Sequence, residues 1–177
     1  MKTMKKVFIA ACLAVFAAAA GAHAAEIKIA HANLQRALNE CEAGKKAKDI
    51  LAEEAKKYAD LLDAKQEDLK KLKEEIDKKS NVWSKEAKEA KETEFMQRSQ
   101  EFERLYEEYG KQLNDKKLQR EDEIINGLRK TVDEIAKKKG YTYVFERSVG
   151  GLLYAPETDD ITDEVIKQHN KKFKAKE

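Results

Sequence analysis

From Lys45 to Lys139 the chain runs 95 residues without proline, with only two glycines (Gly110 and Gly127) and a charged side chain at about every second position. A stretch of that composition cannot fill a globular core. Its few large apolar residues are spaced for helix faces. It reads as two long amphipathic helices folded back on each other. Short strand-like segments flank it on both sides, so the hairpin projects from a small body made by the two chain ends. Such a shape works by surface contact and not by a catalytic pocket.

The first residues have the features of a secretory signal: Lys2, Lys5 and Lys6, an apolar run from Val7 to Ala20, and small residues at Ala22 and Ala24. The mature chain is then expected to start at Ala25, after a signal peptide of residues 1–24. Only two apolar residues separate Lys6 from a lipobox-like Ile9-Ala10-Ala11-Cys12, too few for a normal apolar segment. Removing the leader takes away three lysines and no acid, so the formal charge falls from +2 to −1. That balance carries no nucleic-acid footprint and limits membrane contact to the periphery. One cysteine, Cys41, remains. It reads as a small helix-face residue beside Leu34 and Leu38.

Within the hairpin, Leu51, Ala55, Tyr58, Leu62, Lys65, Leu69, Leu72 and Ile76 alternate spacings of four and three, a heptad seam broken by Lys65. Glu53–Lys57, Glu67–Lys71, Glu74–Lys78 and Glu75–Lys79 are i,i+4 pairs in the favourable order. Ser80–Ser84 interrupts the pattern, with Asn81 and Ser84 as candidate N-caps. The return helix stops at Gly140 after three lysines. Its seam differs: Phe102, Leu113, Ile124 and Ile135 recur every 11 residues, beside Phe95, Tyr106, Tyr109 and Leu128. The two periods cannot match throughout, which predicts irregular packing, with Gly110 as the candidate hinge. Helices of about 45 residues from Leu34 and about 55 from Ser84 would give arms on the order of 65–80 Å.

The body takes residues 25–44 and 140–177, the arm 45–139. Glu26–His31 and Tyr141–Glu146 alternate as strands, Leu152–Ala155 reads as a third, and Asp160 or Thr162 caps a short helix before a frayed tail at 171–176. Three short strands and a small helix make a poor monomeric core, so the bodies are expected to associate. Candidate residues of that oligomerisation body are Ile27, Ile29, Tyr143, Val144, Phe145, Leu152, Leu153 and Tyr154. No phosphate-binding loop, metal-ligand spacing or nucleophile elbow occurs, and His31 and His169 lie far apart. No enzyme, cofactor or metal is expected.

Lys28-Ile29-Ala30-His31-Ala32-Asn33-Leu34-Gln35-Arg36-Ala37-Leu38, the charged hairpin, and Leu153-Tyr154-Ala155 with Asp160-Ile161-Thr162-Asp163-Glu164-Val165-Ile166 resemble the Skp/OmpH-like periplasmic chaperones over essentially the whole mature chain. The resemblance implies a fold that is mostly α, with a long antiparallel hairpin, or tentacle, on a β-barrel-like body. It also implies a homotrimer whose arms enclose a cavity, and an ATP-independent periplasmic holdase for unfolded outer-membrane β-barrel proteins. Some members are strongly basic and this mature chain is not, which leaves apolar contacts to hold a client. Val82 and Trp83 at the tip, with Phe95, Met96 and Phe102 along the return helix, are the candidate client-binding residues. The competing reading is a structural coiled-coil scaffold of the envelope that binds one folded partner.

Overall fold

The computed structural model describes residues 27–175. The proposed signal peptide and its cleavage site lie outside the described residues. The element order is β1 (Ile29–Ala32), α1 (Leu34–Glu40), α2 (Glu42–Lys79), α3 (Lys85–Lys139), β2 (Tyr143–Glu146), a 3-10 turn (Glu157–Asp159) and α4 (Thr162–Lys174). The chain is mostly helical, with one small sheet of two parallel strands.

The hairpin forms where its periodicity places it. Its helices of 38 and 55 residues are about 57 and 80 Å long. Ser84 is the N-cap of α3 and accepts from the Ala87 N–H, and Gly140 closes α3 in the left-handed region at φ 70°. Only glycine adopts that region without strain. Of the expected i,i+4 pairs, Lys71–Glu67, Lys78–Glu74 and Lys79–Glu75 form at 3.8, 3.5 and 3.0 Å. They are exposed, and each is worth a few tenths of a kcal/mol at most.

The expected single helix from Leu34 is broken at Cys41. That residue is extended (φ −69°, ψ 154°), donates its N–H to the Ala37 carbonyl at 2.9 Å, and caps α2 through its sulfur, which accepts from the Gly44 N–H at 3.3 Å. Cys41 is therefore a buried cap at a helix corner, not a helix-face residue. Burial pushes its thiol up, and the Gly44 N–H only partly opposes that. Cysteine ranks low as a cap, so the sequence pattern carried no sign of the break.

The core sits under the sheet. Ala30, Ala32, Leu34, Ala37 and Leu38 from the first elements meet Leu128 and Ile135 from the base of α3 and Ile161 and Val165 from the start of α4. Asn33 caps α1, accepting from the Arg36 N–H at 2.7 Å. Ile161, not Asp160 or Thr162, occupies the α4 cap position. Asp160 still serves that end, because its carboxylate accepts from the Thr162 N–H at 2.8 Å. The tail is not frayed through Lys174: Lys172 pairs with Glu134, and Lys174 with Glu42 at 3.0 Å. These pairs hold α4 across the bases of both arm helices.

The expected third strand is absent from the single chain: Leu152–Ala155 is irregular. The second edge of β1 is already taken, since His31 bridges Asp160 and accepts at its carbonyl from the Ile161 N–H at 2.9 Å. The other edge of β2 has no strand beside it among the described residues.

Candidate functional site

Two surfaces stand out. On the body, alternation along β1 and β2 turns Ala30, Ala32 and Val144 to the core and Ile29, Tyr143 and Phe145 outward. Ile29 pairs with Tyr143, and the Tyr143 and Phe145 rings lie 6.3 Å apart. Ile27 is exposed beside them. In the following loop Leu153 is 99% exposed and Tyr154 83%. Leu152 is half-buried. Six of the eight candidate oligomerisation residues therefore lie bare on the single chain, while Val144 packs against the chain's own core. Exposed apolar residues in this number make the body face a candidate interaction surface.

A carboxylate knot holds the loop behind β2. Glu146 accepts from the Leu34 N–H at 3.1 Å, the Ser148 hydroxyl at 2.6 Å and the Val149 N–H at 2.6 Å. Desolvation alone would raise its carboxyl, but the bonds from Ser148, Val149 and Leu34 outweigh it and hold the group below its ordinary 4.5. Asp160 is likewise raised by desolvation and lowered further by Thr162, ending below its ordinary 3.8. Carboxylates depressed in the folded chain stabilise it above their ordinary values, and that stability is lost as pH falls through the folded values. The body is thus expected to lose stability as pH drops below about 4.5, with a shallower acid limb in Glu146→Gln. Urea midpoints followed by circular dichroism between about pH 6 and 3 measure both.

On the arm, Tyr58 stacks on Tyr109 with centroids 4.2 Å apart and planes 3° from parallel, and its hydroxyl donates to Gln112 at 2.7 Å. Lys65, the break in the heptad, reaches Glu101 across the seam at 2.8 Å. Glu54 pairs with Lys116. Most seam residues are half-buried, and beyond the base, where Leu128 and Ile135 join the core, only Leu72 is fully so among the described residues. A two-helix arm has no third neighbour to cover it. Gly110 stands next to the tyrosine stack on an unbroken helix, with open space where a side chain would go. Irregular packing falls instead at the arm base, where Ala43, Gly44 and Ala47 of α2 face Ile124 and leave clefts on both flanks.

The candidate client residues do not form one patch. Val82, 80% exposed, and half-buried Trp83 lie at the tip. Phe95 and Phe102 are half-buried along the seam, with the Phe102 ring 6.5 Å from that of Tyr106. Met96 is exposed on the far side of α3. Tyr106, expected in the seam, is exposed. Among the described residues no cluster of His, Cys, Asp and Glu could hold a metal ion, and no helix is long and apolar enough to cross a membrane.

Residues 28–168 match the model of the outer membrane protein (OmpH-like) family. An uncharacterised protein of Aquifex aeolicus (strain VF5) is 32% identical over 126 residues, 71% of this chain and 75% of that one. The fold is similar to the crystal structure of a protein from Caulobacter crescentus CB15 assigned as an OmpH-like outer membrane chaperone, with a TM-score of 0.78 over 84% of this chain and 86% of that one at 15% identity. With a family match over most of its length, the chain belongs to the OmpH-like outer membrane protein family.

Proposed function

We propose that this protein is an ATP-independent periplasmic holdase that keeps unfolded outer-membrane β-barrel proteins soluble. The observation that carries the reading is the architecture: a hairpin of helices about 57 and 80 Å long, with only Leu72 fully buried between its arms beyond the base, set on a body that leaves Ile29, Tyr143 and Phe145 exposed. Such an arm offers area and no deep pocket, which suits many weak contacts with an unfolded chain. The family match and the chaperone assignment of the Caulobacter protein support the same reading.

In this proposal residues 1–24 direct export, residues 25–44 and 140–177 associate as a homotrimer with a β-barrel-like core, and the 45–139 arms enclose the client. A two-stranded sheet is marginal alone. The open edge of β2 and the outward Ile29, Tyr143 and Phe145 give the bodies something to bury. Gly110 is the proposed pivot of the arms.

The test is light scattering. A urea-unfolded outer-membrane β-barrel protein is diluted into buffer without ATP, with and without the mature chain. Suppressed aggregation at a few-fold excess of chain is the expected result. Unchanged scattering with a folded helical chain would move the proposal to an envelope scaffold for one folded partner. At the tip, Trp83→Ala is expected to weaken client affinity about threefold, since the open part of a half-buried indole contributes roughly 0.5–1 kcal/mol through aromatic contact. Fluorescence titration of labelled client checks it, and unchanged affinity removes the tip from the site.

A further inference from the structure

Near the middle of the arm two phenols lie face to face. Tyr58 of α2 stacks on Tyr109 of α3 with ring centroids 4.2 Å apart and planes 3° from parallel. Packing alone does not call for tyrosine here, because phenylalanine offers the same ring to a seam. The Tyr58 hydroxyl sits between two acceptors, Gln112 Oε1 at 2.7 Å and Glu54 Oε1 at 3.2 Å. The Lys116 ammonium bonded to Glu54 holds that carboxyl below its ordinary 4.5, so it is ionised and open to a proton near neutral pH. The cross-arm pairs Glu54–Lys116 and Lys65–Glu101 stand on either side of the stack along the arm and fix its register. Among the described residues no other tyrosine stacks on a second one: Tyr106 meets Phe102, and Tyr143 meets Phe145. Both members of the pair are half-buried, within reach of a small solute. Cys41, the free thiol of the described chain, is buried, and burial pushes its thiol up, which leaves little thiolate to compete for an oxidant.

We propose that Tyr58 and Tyr109 form an oxidative modification site, at which a one-electron oxidant couples the two rings into a dityrosine and staples α2 to α3. The site stands apart from the holdase reading, since it needs only the hairpin. Each phenol gives one electron to the oxidant and loses its hydroxyl proton, that of Tyr58 to the Glu54 carboxylate and that of Tyr109 to water. The two phenoxyl rings join by a carbon–carbon bond between ring carbons ortho to the oxygens. The hydrogen on each joined carbon then moves to the ring oxygen, which restores two phenols. In all, two electrons and two protons leave, and one hydrogen peroxide, acting through a peroxidase-type oxidant, takes them up as two waters. Met96, 58% exposed, takes the two-electron route to the sulfoxide instead, so the tyrosine pair answers one-electron oxidants and Met96 answers peroxide itself. The new bond closes the chain from Tyr58 round the tip to Tyr109. A closed loop has fewer unfolded conformations, so the linked arm resists unfolding more than the open one. It also fixes the spacing of two helices whose seam is mostly half-buried.

The experiment oxidises the folded mature chain with photoexcited tris(bipyridine)ruthenium(II) and persulfate, a one-electron oxidant. The expected product is a single chain two hydrogens lighter than the parent, with dityrosine fluorescence, in which peptide mapping joins the Tyr58 peptide to the Tyr109 peptide. Tyr58→Phe and Tyr109→Phe keep an aromatic ring at each position and are expected to abolish that product, with circular dichroism confirming that each variant folds. Tyr106→Phe changes a 65% exposed ring one turn away and is expected to leave the product unchanged. Oxidation in urea that unfolds the chain is expected to lose it, because only the fold holds the two rings together. The purified linked chain is expected to unfold at a higher urea concentration than the parent. Links found only between chains, or only through Tyr106, Tyr141, Tyr143 or Tyr154, overturn the site. Equal yields from the folded and the unfolded chain overturn it as well. A linked chain with the parent's urea midpoint overturns the staple.

Discussion

Gly44→Ala is expected to lower the unfolding free energy by about 3 kcal/mol, the upper end of what inserting one methyl into packed surroundings costs. A Cβ at this position would stand 1.8 Å from the Leu38 carbonyl oxygen and 3.0 Å from its carbon. Both are backbone atoms, so no side-chain rotation relieves the overlap. The corner itself must open, and with it the Cys41 cap that receives the Gly44 N–H. The sign makes the test sharp. Helix propensity alone would make glycine to alanine favourable by about 1 kcal/mol. Gly110→Ala supplies that reference, because nothing lies within 4 Å of its Cβ position. Urea unfolding should therefore show one alanine destabilising the chain and the other stabilising the arm by up to about 1 kcal/mol. A Gly44→Ala chain as stable as the parent would mean that α1 and α2 do not meet as described.

Leu153→Asp is expected to dissociate the proposed homotrimer while leaving the fold of each chain intact. The residue is 99% exposed in the single chain, on an irregular loop. Substitutions at such positions stay within about 0.5 kcal/mol of neutral when nothing covers the side chain. Placing a carboxylate in an apolar interface costs several times more, and identical copies repeat the cost at every equivalent contact. Analytical ultracentrifugation should show a mass drop toward the monomer, with helicity by circular dichroism largely kept. An unchanged mass would place Leu153 outside any interface and leave the bare face of Tyr143 and Phe145 to be explained another way.

The long elements were legible because they depend on period and punctuation. Eight residues spaced three and four apart announce α2, Ser84 and Gly140 delimit α3, and alternation in Tyr143–Glu146 gives β2. The strand expected at Leu152–Ala155 rests on a short apolar run before Pro156 and is absent from the single chain. A strand exists only with a neighbour, and Asp160 and Ile161 already hold the open side of β1. Of the candidate site, the bare body residues were readable as apolar positions in short strands. The grouping along the arm was not. Phe95 and Met96 are adjacent in sequence but lie on different sides of α3, since one residue step turns the helix by about 100°.

The sequence by itself determined that this chain makes a long charged hairpin on a small split body, because periodicity, capping residues and the lack of proline act within a few residues of each position. It also carried the family, through motifs at both ends. Only the tertiary structure decided the rest. The corner at Cys41 follows from the close approach of Gly44 to Leu38, residues on different helices. The base of α3 belongs to the core because Leu128 and Ile135 meet Val165 and Ala30 from distant parts of the chain. Which residues of the arm face the seam follows from the Tyr58–Tyr109 contact, which sets how each helix is turned toward the other. That rotation depends on which residues meet across the turn, information that no single helix carries in its own pattern.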